Sequence, residues 1–139
     1  MYLEKGSRFY LAGYMKKYKI LIIEDESSLQ DSLSEFLSME KFETVSAFNG
    51  EDGIALAKKE KPDLILLDIV LPKKNGFEVL EEIKKNKETE KIPVILLTNL
   101  ESTEDVNRAF DFGVTTYLIK SSYTLEDIVR KIKENLGIV

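Results

Sequence analysis

Hydrophobic residues along this chain fall into two alternating patterns. Continuous apolar runs occur at Ile20–Ile23, Leu64–Leu67 and Val94–Leu97, with more mixed runs at Thr44–Phe48 and Thr115–Ile119. Runs this short, bounded by polar residues, have the length of strands rather than helices. Between them the apolar residues recur at helical spacing. Leu29, Leu33, Phe36 and Leu37 stand at i, i+4, i+7 and i+8, and Phe77, Leu80 and Ile83 stand three apart. Each set predicts a helix with one buried face. Ile54 with Ala55-Leu56-Ala57, then Val106, Ala109 and Phe110, and finally Ile128, Val129, Ile132 and Leu136 predict three more.

Strict strand-helix alternation with short connections implies parallel strands joined by right-handed crossovers, with helices on both faces of one open sheet. The runs also predict the strand order. The first, third and fourth are continuously apolar, as strands covered on both faces must be. The second alternates as Val45-Ser46-Ala47 and the fifth is short and mixed, so these two are the edges. Order 2-1-3-4-5 satisfies the pattern, which makes the expected fold α/β: a flavodoxin-like (βα)5 three-layer sandwich. Pro62 and Pro93 precede strands, where a missing amide hydrogen costs least. Thr124 with Asp127 is a capping box for the last helix, and Asp25 or Ser27 is expected to cap the first. Glu81-Glu82-Ile83-Lys84-Lys85 reads as an exposed helix face with i, i+3 pairs.

Residues 1–14 show no sustained period and are followed by Met15-Lys16-Lys17, which resembles a start. They are read as an N-terminal extension, a leader or disordered arm, with residues 15–139 forming one domain. The 139 residues, 43% of them hydrophobic, suffice for a single core. No apolar stretch approaches the roughly 20 residues that cross a bilayer. A net charge of −5, with lysines scattered among acids, disfavours contact with nucleic acid or an anionic membrane. The absence of Cys and His excludes thiolate nucleophiles, histidine-based triads and the commonest zinc sites. Chemistry here must rest on carboxylates, hydroxyls and lysine.

Ligands of open α/β sheets bind outside the carboxyl ends of the strands. There the first predicted strand ends in Glu24-Asp25-Glu26, the third in Asp68, the fourth in Thr98 and the fifth in Lys120. Carboxylates about 4 Å apart repel by about 4 kcal/mol at an effective dielectric near 20, so a cluster of them needs a compensating cation. Magnesium fits, because it takes oxygen ligands through a few carboxylates and keeps several waters. Such a pocket, faced by a lysine and a hydroxyl, suits stabilisation of a transferring phosphoryl group.

Five segments in this order and spacing resemble the receiver domain of two-component response regulators. They are Tyr18-Lys19-Ile20-Leu21-Ile22-Ile23-Glu24-Asp25-Glu26, Pro62 through Pro72 with Asp68 inside, Gly76, Pro93 through Thr98, and Tyr117-Leu118-Ile119-Lys120. The resemblance implies that Asp68 accepts a phosphoryl group from a phosphohistidine on a sensor histidine kinase or phosphotransfer protein. It implies Mg2+ or Mn2+ held by Asp25, Asp68, the Val70 backbone carbonyl and, through water, Glu24. Thr98 and Lys120 match groups that bind phosphoryl oxygens, and Tyr117 matches the aromatic residue that moves inward with Thr98 on activation. The implied protein is a cytoplasmic signalling switch rather than an enzyme, catalysing only its own phosphorylation and dephosphorylation. It controls an output domain or downstream protein through the face made by the fourth helix, fifth strand and fifth helix, and members of the family commonly dimerise when phosphorylated.

Three residues depart from the family pattern. Glu24 stands where aspartate is commoner, Ser121 follows Lys120 where a typically cis proline is usual, and Asn99 replaces a small residue after Thr98. Three rival functions meet specific objections. A receiver-like module that only binds a partner would have no need of Asp25, Asp68, Thr98 and Lys120. A flavin carrier would carry Ser, Thr and Gly, not acids, in the first strand-to-helix loop. An aspartate-nucleophile phosphatase would carry a second acid two residues after Asp68, where Val70 stands. Val70 and Leu100, each two residues beyond a site residue, are expected to overhang the pocket, and neither can orient a hydrolytic water. The phosphoryl group on Asp68 is therefore predicted to be long-lived. Val70→Asn combined with Leu100→Glu should speed its loss in a decay assay, and an unchanged decay rate would count against the idea.

Overall fold

Where the predicted runs lie decides which faces they cover. The computed structural model describes residues 16–138, so the extension read at residues 1–14 lies outside the described residues. The elements are β1 (Lys19–Ile23), α1 (Ser27–Met39), β2 (Glu43–Ala47), α2 (Gly50–Glu60), β3 (Leu64–Leu67), α3 (Gly76–Lys85), β4 (Val94–Thr98), α4 (Thr103–Asp111), β5 (Thr116–Ile119) and α5 (Leu125–Leu136). The five strands form one parallel sheet in the order β2-β1-β3-β4-β5, as expected.

Side chains alternate across a strand, and here both sets are apolar. Ile20, Ile22, Leu64, Leu66, Ile95 and Leu97 pack with Leu33 and Leu37 of α1 and Ile128, Val129 and Ile132 of α5. Leu21, Ile23, Ile65, Leu67, Val94 and Leu96 pack with α2, α3 and α4 through Ile54, Ala57, Leu80, Ile83 and Ala109. Three layers result. All of β3 and β4 is buried, while β2 and β5 keep partly exposed positions, as edge strands do.

Side-chain caps mark four helix starts. Asn49, Asn75, Ser102 and Thr124 each accept a first-turn amide of α2, α3, α4 and α5, and Asn75–Glu78 and Thr124–Asp127 are capping boxes. Each such cap contributes about 1 kcal/mol. Helix α1 departs from expectation, since neither Asp25 nor Ser27 caps it. Its N-cap residue is Glu26, whose N–H is taken by the Glu24 carboxylate at 3.0 Å. Of the acids before α1, Glu24 and Asp25 belong to the strand-end cluster, while the Glu26 carboxylate accepts the Ser28 hydroxyl at 3.3 Å.

Two helix faces also differ from the pattern. Helix α4 fully buries only Ala109, and Phe110 is 49% exposed. In α3, Lys85 pairs with Glu81 at i+4, and Glu82 reaches outside the helix to Lys74. Lys84 is a staple rather than part of an exposed face: its ammonium donates to the carbonyls of Glu90 and Ile92 at 3.2 and 3.0 Å. Its long stem lets the charge reach carbonyls that sequence spacing could not associate with it.

Two glycines bring helices against the strand ends that carry the polar residues. A Cβ on Gly53 of α2 would stand 2.6 Å from Ile23 Cδ1, and one on Gly76 would collide with the Asp68 carbonyl oxygen and the Ile69 Cα. The first clash is with the side chain of the buried Ile23, while the second is with backbone. Gly76→Ala is therefore expected to lose about 3 kcal/mol of stability in urea unfolding, the upper range for overpacking. Gly53→Ala should lose less, because alanine recovers about 1 kcal/mol of helix propensity; equal losses would contradict this account.

Candidate functional site

Parallel register assembles the site before any side chain is considered. Ile23 lies opposite Leu67, so the next residues, Glu24 and Asp68, emerge side by side at the carboxyl ends of β1 and β3. Adjacent strands run about 4.8 Å apart, close enough for their carboxylates to meet. Thr98 ends β4 opposite Ile119, which places Lys120 one residue beyond, at the end of β5. The Asp68 N–H donates to the Ile23 carbonyl at 3.0 Å, extending the ladder into the site. Gly76 N–H donates to the Ile69 carbonyl at 2.6 Å and closes the loop behind it.

Lys120 reaches back across the sheet to both acids. Its Nζ lies 2.8 Å from Glu24 Oε1 and 2.8 Å from Asp68 Oδ2. The second oxygen of each carboxylate accepts a backbone amide, Glu26 N–H at 3.0 Å for Glu24 and Val70 N–H at 3.3 Å for Asp68. Glu24 and Asp68 are 2% and 5% exposed, so their charges are largely removed from water. Burial pushes the Glu24 carboxyl above its ordinary range, a shift opposed by Lys120 and the Glu26 amide and reinforced by Asp68. Burial pulls the Lys120 ammonium down, but its bonds to Asp68 and Glu24 outweigh this and leave it raised. Lys120 is thus a permanent cation at neutral pH.

Asp25 completes the cluster. Carboxylate oxygens of Glu24, Asp25 and Asp68 lie within 4.8 Å of one another, with Asp25 on the exposed side. Three carboxylates against one ammonium leave negative charge uncompensated, and an all-oxygen donor set open to water on one side suits a hard divalent cation. Val70 and Asn99 join the wall of the pocket above, which has a volume of about 280 Å3.

Thr98 and Tyr117 grip the same residue. Thr98 is fully buried, and its Oγ1 accepts the Leu100 N–H at 3.4 Å. The half-buried Tyr117 hydroxyl donates to the Leu100 carbonyl at 2.6 Å. Burial, and after it Asp105 and Asp68, raise the Tyr117 hydroxyl above its ordinary pKa, so it remains a donor. Val70 stands at the pocket rim, 61% exposed, whereas the Leu100 side chain packs on the core under α2, α3 and α4. The peptide bond between Lys120 and Ser121 is trans, and Lys120–Ser122 forms a single 3₁₀ turn.

Two buried polar residues escaped the sequence pattern, Thr89, whose hydroxyl donates to the Ile83 carbonyl, and Gln30 near the site. Gln30, 1% exposed, donates its side-chain amide to the carbonyls of Ile22, Glu24 and Ala47 at 3.1 to 3.2 Å. The available signal was its place three and seven residues before Leu33 and Leu37, on their side of α1. Removing the shared cation isolates two buried acids. Lys120→Met should lose about 3 kcal/mol in metal-free urea unfolding, as expected when one partner of a buried pair is deleted. Mg2+ at 100 times its Kd should return about 2.7 kcal/mol, and a loss insensitive to Mg2+ would argue that the acids do not share an ion.

Comparison with known proteins agrees with this geometry. The family model for the response regulator receiver domain matches residues 20–133. The transcriptional regulatory protein CiaR of Streptococcus pneumoniae is 39% identical over 115 residues, covering 83% of this chain and 50% of its own length. This chain therefore spans about half of that curated relative. A CheY-like response regulator receiver domain protein from Methanospirillum hungatei superposes with a TM-score of 0.82 at 30% identity, covering 88% of this chain and 95% of the other. The phosphorylated cyanobacterial phytochrome response regulator RcpA gives a TM-score of 0.76 at 31% identity over the same shares, 88% and 95%. With the sheet order, the strand-end acids and the matched length in agreement, the chain belongs to the response regulator receiver domain family.

Proposed function

We propose that this chain is a phosphorylation-dependent signalling switch in which Asp68 is the phosphoacceptor. The observation that carries the proposal is the convergence of Glu24, Asp25 and Asp68 within 4.8 Å, with Lys120 bonded to two of them. In the proposed reaction a carboxylate oxygen of Asp68 attacks the phosphorus of a phosphohistidine on a sensor kinase or phosphotransfer protein. The O–P bond forms as the N–P bond breaks, and the imidazole leaves with the electron pair. A carboxylate on a rigid strand end needs no general base for this step. Asp25, Asp68 and the Val70 carbonyl would hold Mg2+ or Mn2+, with Glu24 acting through water. When bound, the ion supplies charge neutralisation for the phosphoryl oxygens.

Lys120 faces the phosphoryl oxygens in this proposal, and Thr98 offers its hydroxyl to another. Esterification brings the local charge to about −2, which draws the Thr98 hydroxyl from its contact with the Leu100 amide. Because Tyr117 holds the other end of Leu100, the movement passes to β5 and the start of α4. Reversing an inactive-to-active ratio from about 1:99 to 99:1 needs some 5.5 kcal/mol, the scale of a few charge-assisted hydrogen bonds. The proposed outcome is a changed α4-β5-α5 face read by an output domain, a downstream protein or a second copy, within the cytoplasm. Among the described residues no helix is long and apolar enough to cross a membrane.

RcpA, which shares the fold and 31% identity, is described in its phosphorylated form, which supports the same chemistry here. Incubation with acetyl phosphate and Mg2+ should add the mass of one phosphate to the intact chain. Asp68→Ala and chelation with EDTA should each abolish the adduct. A phosphorylated Asp68→Ala chain would place the acceptor elsewhere.

A further inference from the structure

Helix α1 enters the core with a polar residue, Gln30, on the face it shares with Leu33 and Leu37. The β1–β2 ladder ends where Ile23 faces Ala47, and the Glu24 N–H still reaches the Ala47 carbonyl at 3.0 Å. One step further the chain of β2 turns into α2, and strand pairing brings no amide to the Glu24 carbonyl. A carbonyl buried without a donor is unfavourable, and Gln30 Nε2 supplies that donor at 3.2 Å. The same nitrogen lies 3.1 Å from the Ile22 carbonyl and 3.1 Å from the Ala47 carbonyl. Three acceptors fix the orientation of the amide, because turning it over would set oxygen against three oxygens. Its Oε1 has no hydrogen-bond partner among the described residues. A side chain serving packing alone would be apolar here, so the donating end is what this position retains.

We propose that Gln30 is a positioning residue of the phosphorylation site. By tying the Glu24 carbonyl to the end of the β1–β2 ladder, it sets the Glu24–Asp25 peptide and so the directions from which both carboxylates face Asp68. Gln30 acts only through the backbone of β1 and the turn that follows it. The role rests on the reading of the acid cluster as a divalent-cation site.

The test uses the full chain, calorimetric titration with Mg2+, and amide hydrogen exchange of the metal-free protein. Gln30→Met keeps length and volume but donates nothing. Leu33→Ala, on the same helix, loses core packing without touching the three carbonyls. Gln30→Met should weaken Mg2+ binding on the order of tenfold, as loss of groups that orient metal ligands does. It should also speed exchange at the Glu24 and Glu26 amides. Leu33→Ala should lower the melting temperature yet bind Mg2+ as the parent does. If Gln30→Met does not fold, Gln30→Asn, whose amide is one carbon short of the carbonyls, must show the same weakening. Parent-like Mg2+ affinity in a folded Gln30 variant, or an equal loss in Leu33→Ala, overturns the role. A parent chain that takes up no Mg2+ overturns the divalent-cation reading itself, a result separable from the first because parent and variants then behave alike.

Discussion

One ammonium shared by two buried carboxylates is the interaction around which this molecule is arranged. Parallel pairing of β1 with β3 forces Glu24 and Asp68 together at adjacent strand ends, and neither charge is well hydrated there. Alone, such a pair would repel and one acid would neutralise. Lys120 answers both at 2.8 Å, and it can do so because β4 and β5 deliver it to the same end of the sheet. The backbone amides of Glu26 and Val70 occupy the remaining carboxylate oxygens, so the acids are fixed in direction. The pocket presents these fixed carboxylates to solvent on one side, the arrangement on which the proposed phosphoryl transfer to Asp68 relies.

The two sides of the sheet are unequally anchored around that centre. Strands β1 and β3 are buried on both faces, and Gly76 presses the start of α3 against the Asp68 carbonyl, leaving Asp68 little freedom. Across the site, α4 fully buries a single side chain, Ala109, and the loop before it is held through Leu100 by Thr98 and Tyr117. Elements with few buried contacts are the least costly to displace. A rigid Asp68 facing a lightly packed helix is an arrangement in which, under the proposed function, added charge would displace one side and not the other.

Much of this was legible in the residues before any coordinates. Continuity of apolar runs at Ile20–Ile23, Leu64–Leu67 and Val94–Leu97, against alternation at Val45-Ser46-Ala47, distinguishes interior from edge strands and so orders the sheet. Asp68, Thr98 and Lys120 stood out because polar residues ending apolar strands have a known place in this architecture. Gln30 was hidden, because an amide in a helix reads as a solvent-facing residue until its acceptors are known. Lys84 was hidden likewise within a run of charges, and Phe110 misled because periodicity reports a face without reporting whether anything covers it. The expected cap on α1 failed because the helix begins one residue after Glu26, which takes the N-cap position in place of Asp25 or Ser27.

By itself the sequence determined the element order, the layers and which polar groups stand at the strand ends, since these follow from hydrophobic period and from strand ends, both local properties of the chain. Only the tertiary structure decided that Lys120 pairs with Glu24 as well as Asp68, that Thr98 and Tyr117 meet at one residue, and that Gln30 closes the end of the β1–β2 ladder. Those contacts join residues on different elements, at distances set by strand register and side-chain reach. No pattern along one dimension encodes which of several lysines, or which buried amide, arrives first.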